Sequence, residues 1–174
     1  ISLPYGRVGL VIGDVVGHGI GAATLMAELR AALRAYAVAE PSSPASAIGS
    51  LNALAATTHH KMVATLLYMV VDDRKTGVRF ASAGHPPPLM TNRDCETRFL
   101  AQRAGAPLGV DEHTVYHDFE GELEAEGAPA VIGPRRGPRA DEPAQRGRER
   151  IVLERGRERV GRALRDGQDR KEVE

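Results

Sequence analysis

The chain has 174 residues, with 23 basic and 23 acidic side chains and a single cysteine, Cys95. This length suits one domain of ordinary size. Balanced charge gives no basic face for nucleic acid, no apolar run is long enough to span a membrane, and one cysteine allows no internal disulfide. We therefore expect a cytoplasmic protein that binds neither nucleic acid nor a membrane.

The charge is distributed unevenly along the chain. Residues 1–118 contain 10 Lys and Arg and 10 Asp and Glu, whereas the remaining 56 residues contain 13 of each. This second part alternates Arg, Glu and Gly, and its apolar stretches are Val131-Ile132 and Ile151-Val152-Leu153. Such a composition cannot offset the entropy of ordering the chain, which predicts a disordered tail or the product of a different reading frame. A solvated, ion-paired helix over 149–165 is the alternative.

The first part contains a short apolar run, Val8–Ile12, followed by the glycine-rich stretch Gly13–Gly19. β-branched residues predict a buried strand here, and three glycines in seven residues predict a sharp turn after it. Asp14 then lies at the end of the strand, where a carboxylate and loop carbonyls suit a divalent cation. The alternative is that Asp14 caps the loop and His18 bonds a backbone group, which is the commoner use of such turns.

Apolar residues at three- and four-residue spacing predict two helices. The first runs from Ile20 to about Val38, and the second begins after Ser43, a good N-cap followed by Pro44 at the first helical position. The His59-His60 pair after the second helix is interpreted as a solvated helix end, because adjacent helical residues point in different directions.

The rest of the first part predicts strands and turns. Two helices with a series of hairpins predict an α+β layered domain. Asp72 and Asp73 are interpreted as turn residues, since Asp is favoured there for its own backbone hydrogen bonds. The segments in chain order are a hairpin of Met62–Val71 and Val78–Ala83 with its turn at 72–77, a stiff loop at Gly84–Pro88, and short strands at Arg98–Leu100 and Val115–Phe119 on either side of the loop Gly105–Gly109.

Four stretches, read together, resemble the SpoIIE/RsbU-type serine phosphatases, a bacterial branch of the PP2C-like family. They are Gly13–Gly19 with Ala22–Met26, Ala64–Tyr68, Ala81–Leu89 and Gly105–Val110. The resemblance runs from about Val8 to about Phe119. It implies a partial αββα sandwich over 1–119, followed by a divergent tail over 120–174.

The resemblance also implies an activity and a site. Intact relatives remove phosphate from serine or threonine of an anti-anti-sigma-type protein, using two Mn²⁺ or Mg²⁺ ions and a metal-activated water. An upstream sensor domain or a homodimer is also implied. Carried over residue by residue, the metal ligands are the side chain of Asp14 and the backbone carbonyl of Val15. The residues expected to shape the cleft are Gly17, His18, Gly19, Gly84 and His85.

The sequence departs from the family pattern at both ends. Neither an upstream Gly-Gly-Asp-x-Tyr-Asp motif nor a downstream Thr-Asp-Gly motif can be matched to it. One aspartate cannot hold two ions. Two functions therefore stay open at this point: a metal-dependent phosphatase, and a catalytically inactive remnant that binds the same regulatory partners.

Overall fold

The computed structural model describes residues 1–58, 63–72, 77–91, 97–100 and 103–122, together with two short strands further along the chain. After a 3₁₀ turn at Pro4–Gly6 the elements are β1 (Arg7–Val15), α1 (Gly19–Ala39), α2 (Pro44–Thr58), β2 (Ala64–Asp72), β3 (Gly77–Ala83), β4 (Leu89–Thr91), β5 (Thr97–Phe99), β6 (Phe119–Glu122), β7 (Ala130–Ile132) and β8 (Ile151–Leu153).

The largest sheet is antiparallel and has the spatial order β1-β2-β3-β6. β4 pairs with β5, and β7 pairs with β8, as separate two-stranded units. In the β1–β2 register, Asp14 lies opposite Thr65, and Ile12 lies opposite Leu67. Because opposed residues of an antiparallel pair point to the same side, the register decides which side chains meet at each end of the sheet.

Each face of this sheet has its own apolar core. On one face, β2 packs against α1 and α2, with Tyr68 wholly buried among residues of both helices. The helices contribute Leu25, Leu29, Leu33, Ala37, Ala47, Ile48, Leu51 and Ala55. On the other face, Leu67 and Met69 pack with Val78, Phe80, Met90 and Leu100. Alternate side chains of β2 therefore pack into the two cores on opposite faces of the sheet. The predicted α+β architecture is confirmed.

The connection between α1 and α2 follows the predicted capping. The Glu40 N–H donates to the carbonyl of Tyr36 at 2.8 Å, which closes α1. The Ser43 hydroxyl accepts from the Ser46 N–H at 3.1 Å, and Pro44 is the first residue of α2. A side-chain cap satisfies one of the amides that a helix start leaves without a partner.

The predicted strand at Val115–Phe119 is wrong over most of its length, because β6 begins only at Phe119. The side chains before it make other contacts. The Tyr116 hydroxyl donates to the Ala106 carbonyl at 2.9 Å, and the Asp118 carboxylate accepts from the Ser43 hydroxyl and from the Ala45 N–H. This segment therefore joins a loop and a helix start to the sheet.

Some expectations fall on parts of the chain that the structure does not describe. They are those for His59, His60, Met62 and Asp73. In the part predicted to be a tail, β7 and β8 coincide with the two apolar stretches that the sequence has there. Within the described ranges, no helix combines the length and the apolar character that a membrane crossing needs.

Candidate functional site at one end of the sheet

Asp14 is the last residue but one of β1, and its side chain is exposed. The residue before it is pressed against the neighbouring strand: a Cβ added to Gly13 would lie 2.6 Å from the Thr65 carbonyl oxygen. Asp14 lies opposite Thr65, on the sheet face that points away from the helices. The strand pair thus holds a carboxylate at its open end without burying it.

Thr65 connects this end of β2 to His85. Its Oγ1 lies 3.0 Å from Nδ1 of His85. The buried Ser82 fixes the backbone of His85 twice, because its hydroxyl donates to the His85 carbonyl at 2.9 Å and accepts from the His85 N–H at 3.1 Å. Asp14, Thr65 and His85 therefore form a row across the ends of β1, β2 and β3.

The burial of His85 favours a neutral imidazole. Burial, the larger effect, lowers the pKa of His85 below its usual value of 6.5, and the negative charge of Asp14 acts in the opposite direction. An imidazole buried in this way pays a desolvation penalty when it is protonated. At neutral pH, His85 is therefore a hydrogen-bonding neighbour of Thr65 and carries no charge.

The turn after β1 needs its glycines. Gly17 has φ of +127° and Gly19 has φ of +80°, a region that residues with a Cβ rarely adopt. Between them, His18 is extended and exposed at the N-cap position of α1, where its side chain makes no capping hydrogen bond. The turn leaves Val16 67% and Ile20 88% exposed beside Asp14.

A loop from Gly105 to Asp111 is hydrogen-bonded to the strands at this end of the sheet. The Gly105 N–H donates to the Ser82 carbonyl, and the Gly84 N–H donates to the Gly105 carbonyl. Leu108 exchanges two backbone hydrogen bonds with Ala64, at 2.8 and 3.2 Å. The loop thus contacts the residues directly before Thr65 and His85.

The sequence model of the family Stage II sporulation protein E (SpoIIE) matches residues 4–128, well over half of the chain. The chain belongs to the SpoIIE family. This confirms the resemblance drawn from the four stretches, two of which, Gly13–Gly19 and Ala81–Leu89, contain Asp14 and His85.

Solved structures agree with the SpoIIE assignment. The RsbU and RsbW domains of Rv1364c from Mycobacterium tuberculosis are 29% identical, with a TM-score of 0.63 over 74% of this chain and 35% of that one. The SiaA-PP2C domain of Pseudomonas aeruginosa is 21% identical (TM-score 0.58, 74% and 55%). The PP2C phosphatase domain of SpoIIE from Bacillus subtilis is 19% identical (TM-score 0.61, 74% and 36%). At these last two identities, the likeness concerns the fold. The chain spans between 35% and 55% of the length of these three structures.

The donors at this candidate site can be compared with what a metal ion needs. RsbX, which shares the fold at 16% identity, has been solved in complex with magnesium. Mg²⁺ and Mn²⁺ prefer several oxygen ligands around one point. In the described part of this chain, no group of three or more His, Cys, Asp or Glu side chains could hold a metal ion. The described residues supply Asp14 and nearby backbone carbonyls, so they do not make up a complete two-ion centre.

The structure brings together some of the predicted site residues and adds others. Asp14, Gly84 and His85 lie at the same end of the sheet, and Gly17, His18 and Gly19 form the adjoining turn. Thr65, Ser82 and Asn52 were not assigned a role from the sequence. Their signal is a polar residue in an otherwise apolar strand or helix face, which predicts a buried hydrogen bond but not its partner.

Proposed function

We propose that this chain carries a metal-dependent serine/threonine phosphatase domain of the SpoIIE/RsbU type, with Asp14 as a ligand for Mn²⁺ or Mg²⁺. The observation that carries the proposal is the exposed carboxylate of Asp14 at the end of β1. Asp14 lies opposite Thr65 of β2, and Thr65 is hydrogen-bonded to His85. Membership of the SpoIIE family supports the reaction class.

Each residue of the row has a part in this proposal. Asp14 offers a hard oxygen ligand, and the backbone carbonyl of Val15 offers a second one. The remaining acids of a two-ion site would come from outside the described residues. Thr65 and the uncharged His85 adjoin Asp14 without bringing a positive charge that would compete with a cation.

For the substrate, we propose a phosphoserine or phosphothreonine on a small regulatory protein of the anti-anti-sigma type. The support is indirect: the Mycobacterium tuberculosis protein that is 29% identical joins an RsbU domain to an RsbW domain. We also propose the division of the chain into a phosphatase part at 1–119 and a separate tail at 120–174.

A second function is favoured because, among the described residues, no group of three or more His, Cys, Asp or Glu side chains could hold a metal ion. In that case the chain is an inactive phosphatase fold that binds the same regulatory partners. The two functions differ in whether this chain can hold a metal ion and hydrolyse a phosphate ester.

The test is Mn²⁺-dependent hydrolysis of para-nitrophenyl phosphate by the 174-residue chain, Asp14→Asn and Glu120→Gln. Glu120 is an exposed acid near the other end of the sheet, so its variant makes the same change of charge away from the site. Activity that survives Glu120→Gln and is lost in Asp14→Asn supports the phosphatase. Equal activity in all three proteins, or none in folded protein, would remove it and leave the binding module.

A further inference from the structure

Asn52 is a polar residue on the buried face of α2. It is 1% exposed and adjoins Leu51, which is wholly buried. A buried amide costs free energy unless its donors and acceptors find partners. Asn52 meets this requirement through a loop far away in sequence, and its contacts show what it can do.

The side-chain amide of Asn52 bridges two backbone groups of the Gly105–Asp111 loop. Its Oδ1 accepts from the Gly109 N–H at 3.0 Å, and its Nδ2 donates to the Asp111 carbonyl at 2.9 Å. Gly109, with φ of +79°, supplies the left-handed turn that presents these two groups. The amide thus takes the place of a neighbouring strand for this part of the loop.

The same loop reaches the row of Asp14, Thr65 and His85 at two points. Leu108 pairs with Ala64, which precedes Thr65. Pro107 packs against Gly84, which precedes His85, so closely that a Cβ on Gly84 would lie 2.6 Å from Cγ of Pro107. One end of the loop is fixed by α2, and the other contacts both strand ends that carry the row.

We propose that Asn52 is a positioning residue, which holds the Gly105–Asp111 loop and thereby sets His85 and Thr65 relative to Asp14. It touches none of the three residues itself. Without it, the loop keeps its contacts to Ala64 and Gly84 but loses its attachment to α2, so the strand ends that carry Thr65 and His85 move more freely. The relevance of this link to catalysis rests on the proposed phosphatase function, whereas the link itself does not.

The test compares the ¹⁵N-labelled chain with Asn52→Ala and with Leu51→Ala, a control that removes core packing from the same helix but leaves the hydrogen bonds of Asn52 to the loop in place. Native-state amide exchange is measured at Gly84 and Leu108, with the ¹⁵N shifts of the His85 imidazole. When the two variants are compared under conditions of equal global stability, we expect the amides of Gly84 and Leu108 to exchange about tenfold faster in Asn52→Ala than in Leu51→Ala. We also expect His85 shifts that move only in Asn52→Ala. Equal exchange and unchanged shifts would overturn the proposal.

Gly109→Ala provides a second approach that leaves the core of α2 intact. A Cβ at this left-handed position disfavours the turn that meets Asn52. We expect the same change in the His85 shifts, and an unchanged imidazole would count against the proposal even if Asn52→Ala does not fold. Because neither readout uses activity or metal, an inactive chain would refute the proposed phosphatase and still leave the positioning role to be decided here.

Discussion

The two ends of the four-stranded sheet use their charged side chains differently. At the end away from Asp14, Arg7 lies 3.6 Å from the Asp72 carboxylate and donates to the Ser42 hydroxyl at 2.8 Å. Arg79 pairs with Glu120 at 2.6 Å and donates to the Ser42 carbonyl at 2.9 Å. Opposite charges are matched there, and together they hold the connection between α1 and α2 on the sheet.

The end with Asp14 is arranged in the opposite way. Among the described residues, hydrogen bonds between neutral groups lie there: Thr65 to His85, and Ser82 to the His85 backbone. The described part of the chain brings no Lys or Arg into an ion pair with Asp14. A carboxylate whose charge is already matched contributes to structure, whereas an exposed one without a cation beside it remains available to a ligand. The comparison supports the proposal that the Asp14 end is the functional one.

The largest effect on stability is expected at Gly84, beside His85. Gly84→Ala places a Cβ 2.6 Å from Pro107 at φ of +65°, which should lower the free energy of unfolding by about 3 kcal/mol. Gly49→Ala is the matched control, because nothing lies within 4 Å of its Cβ in α2, and it should stabilise by about 0.5–1 kcal/mol. Urea unfolding measures both. A Gly84→Ala protein as stable as the parent would mean that the loop does not constrain this end.

A second effect appears at alkaline pH. Burial raises the pKa of both Tyr116 and Tyr68 to about 12. The unfolded tyrosines ionise near pH 10, so their contribution to stability is complete below pH 10 and is lost as the pH rises towards 12. At pH 11, each of the two buried tyrosines lowers the free energy of unfolding by about 1 kcal/mol. Between pH 9 and pH 11, the free energy of unfolding of Tyr116→Phe should fall by about half as much as that of the parent, because Tyr68 remains. Tyr5→Phe, at an exposed position, should show the full decrease. The same slope in all three proteins would contradict the burial argument.

At the opposite end, the largest expected effect comes from Asp118. Its carboxylate accepts from the Ala45 N–H at 2.7 Å and the Ser43 hydroxyl at 2.9 Å, and so caps α2 from outside the helix. Asp118→Ala should cost about 1 kcal/mol, as the loss of a helix cap does. Thermal unfolding at neutral pH measures this cost. A change smaller than that of Glu120→Gln would show that the cap contributes nothing.

The smallest effect is expected from the Arg79–Glu120 pair. Its two side chains are 44% and 72% exposed, and exposed ion pairs contribute little because water and salt screen them. Glu120→Gln should therefore change the free energy of unfolding by less than about 0.5 kcal/mol. Unfolding at low and high salt measures it. A large, salt-sensitive loss of stability would mean that this ion pair, and not the Asp118 cap, stabilises the end of the sheet away from Asp14.

Local patterns were sufficient to predict the helices and the central hairpin. The spacing of Leu25, Leu29 and Leu33 and the Ser43-Pro44 cap act within a few residues, and the structure places both helices where these patterns predict them. The prediction of a strand at Val115–Phe119 was wrong over most of its length. Side chains of this segment make hydrogen bonds to Ala106 and to the start of α2, and a period-2 alternation does not predict such contacts.

The site could be predicted only in part. Asp14 and the glycine turn are carried by a contiguous motif, and the family resemblance assigned them. The partnership of Asp14, Thr65 and His85 depends on strand register, and that of Asn52 with Gly109 and Asp111 depends on how α2 packs. Thr65 lies 20 positions from His85, and Asn52 lies 57 and 59 positions from Gly109 and Asp111. Nothing in local periodicity specifies such pairings.

The central claim, that the end carrying Asp14 is the one that takes a cation, is tested most directly by titrating Mn²⁺ into the ¹⁵N-labelled chain and mapping the paramagnetic line broadening. We expect the amides of Asp14, Val15, Gly17 and Thr65 to broaden first, while those around Asp72 and Glu120 do not, and Asp14→Asn to abolish the pattern. Broadening centred on the Arg7–Asp72 end, or broadening that persists unchanged in Asp14→Asn, would contradict it.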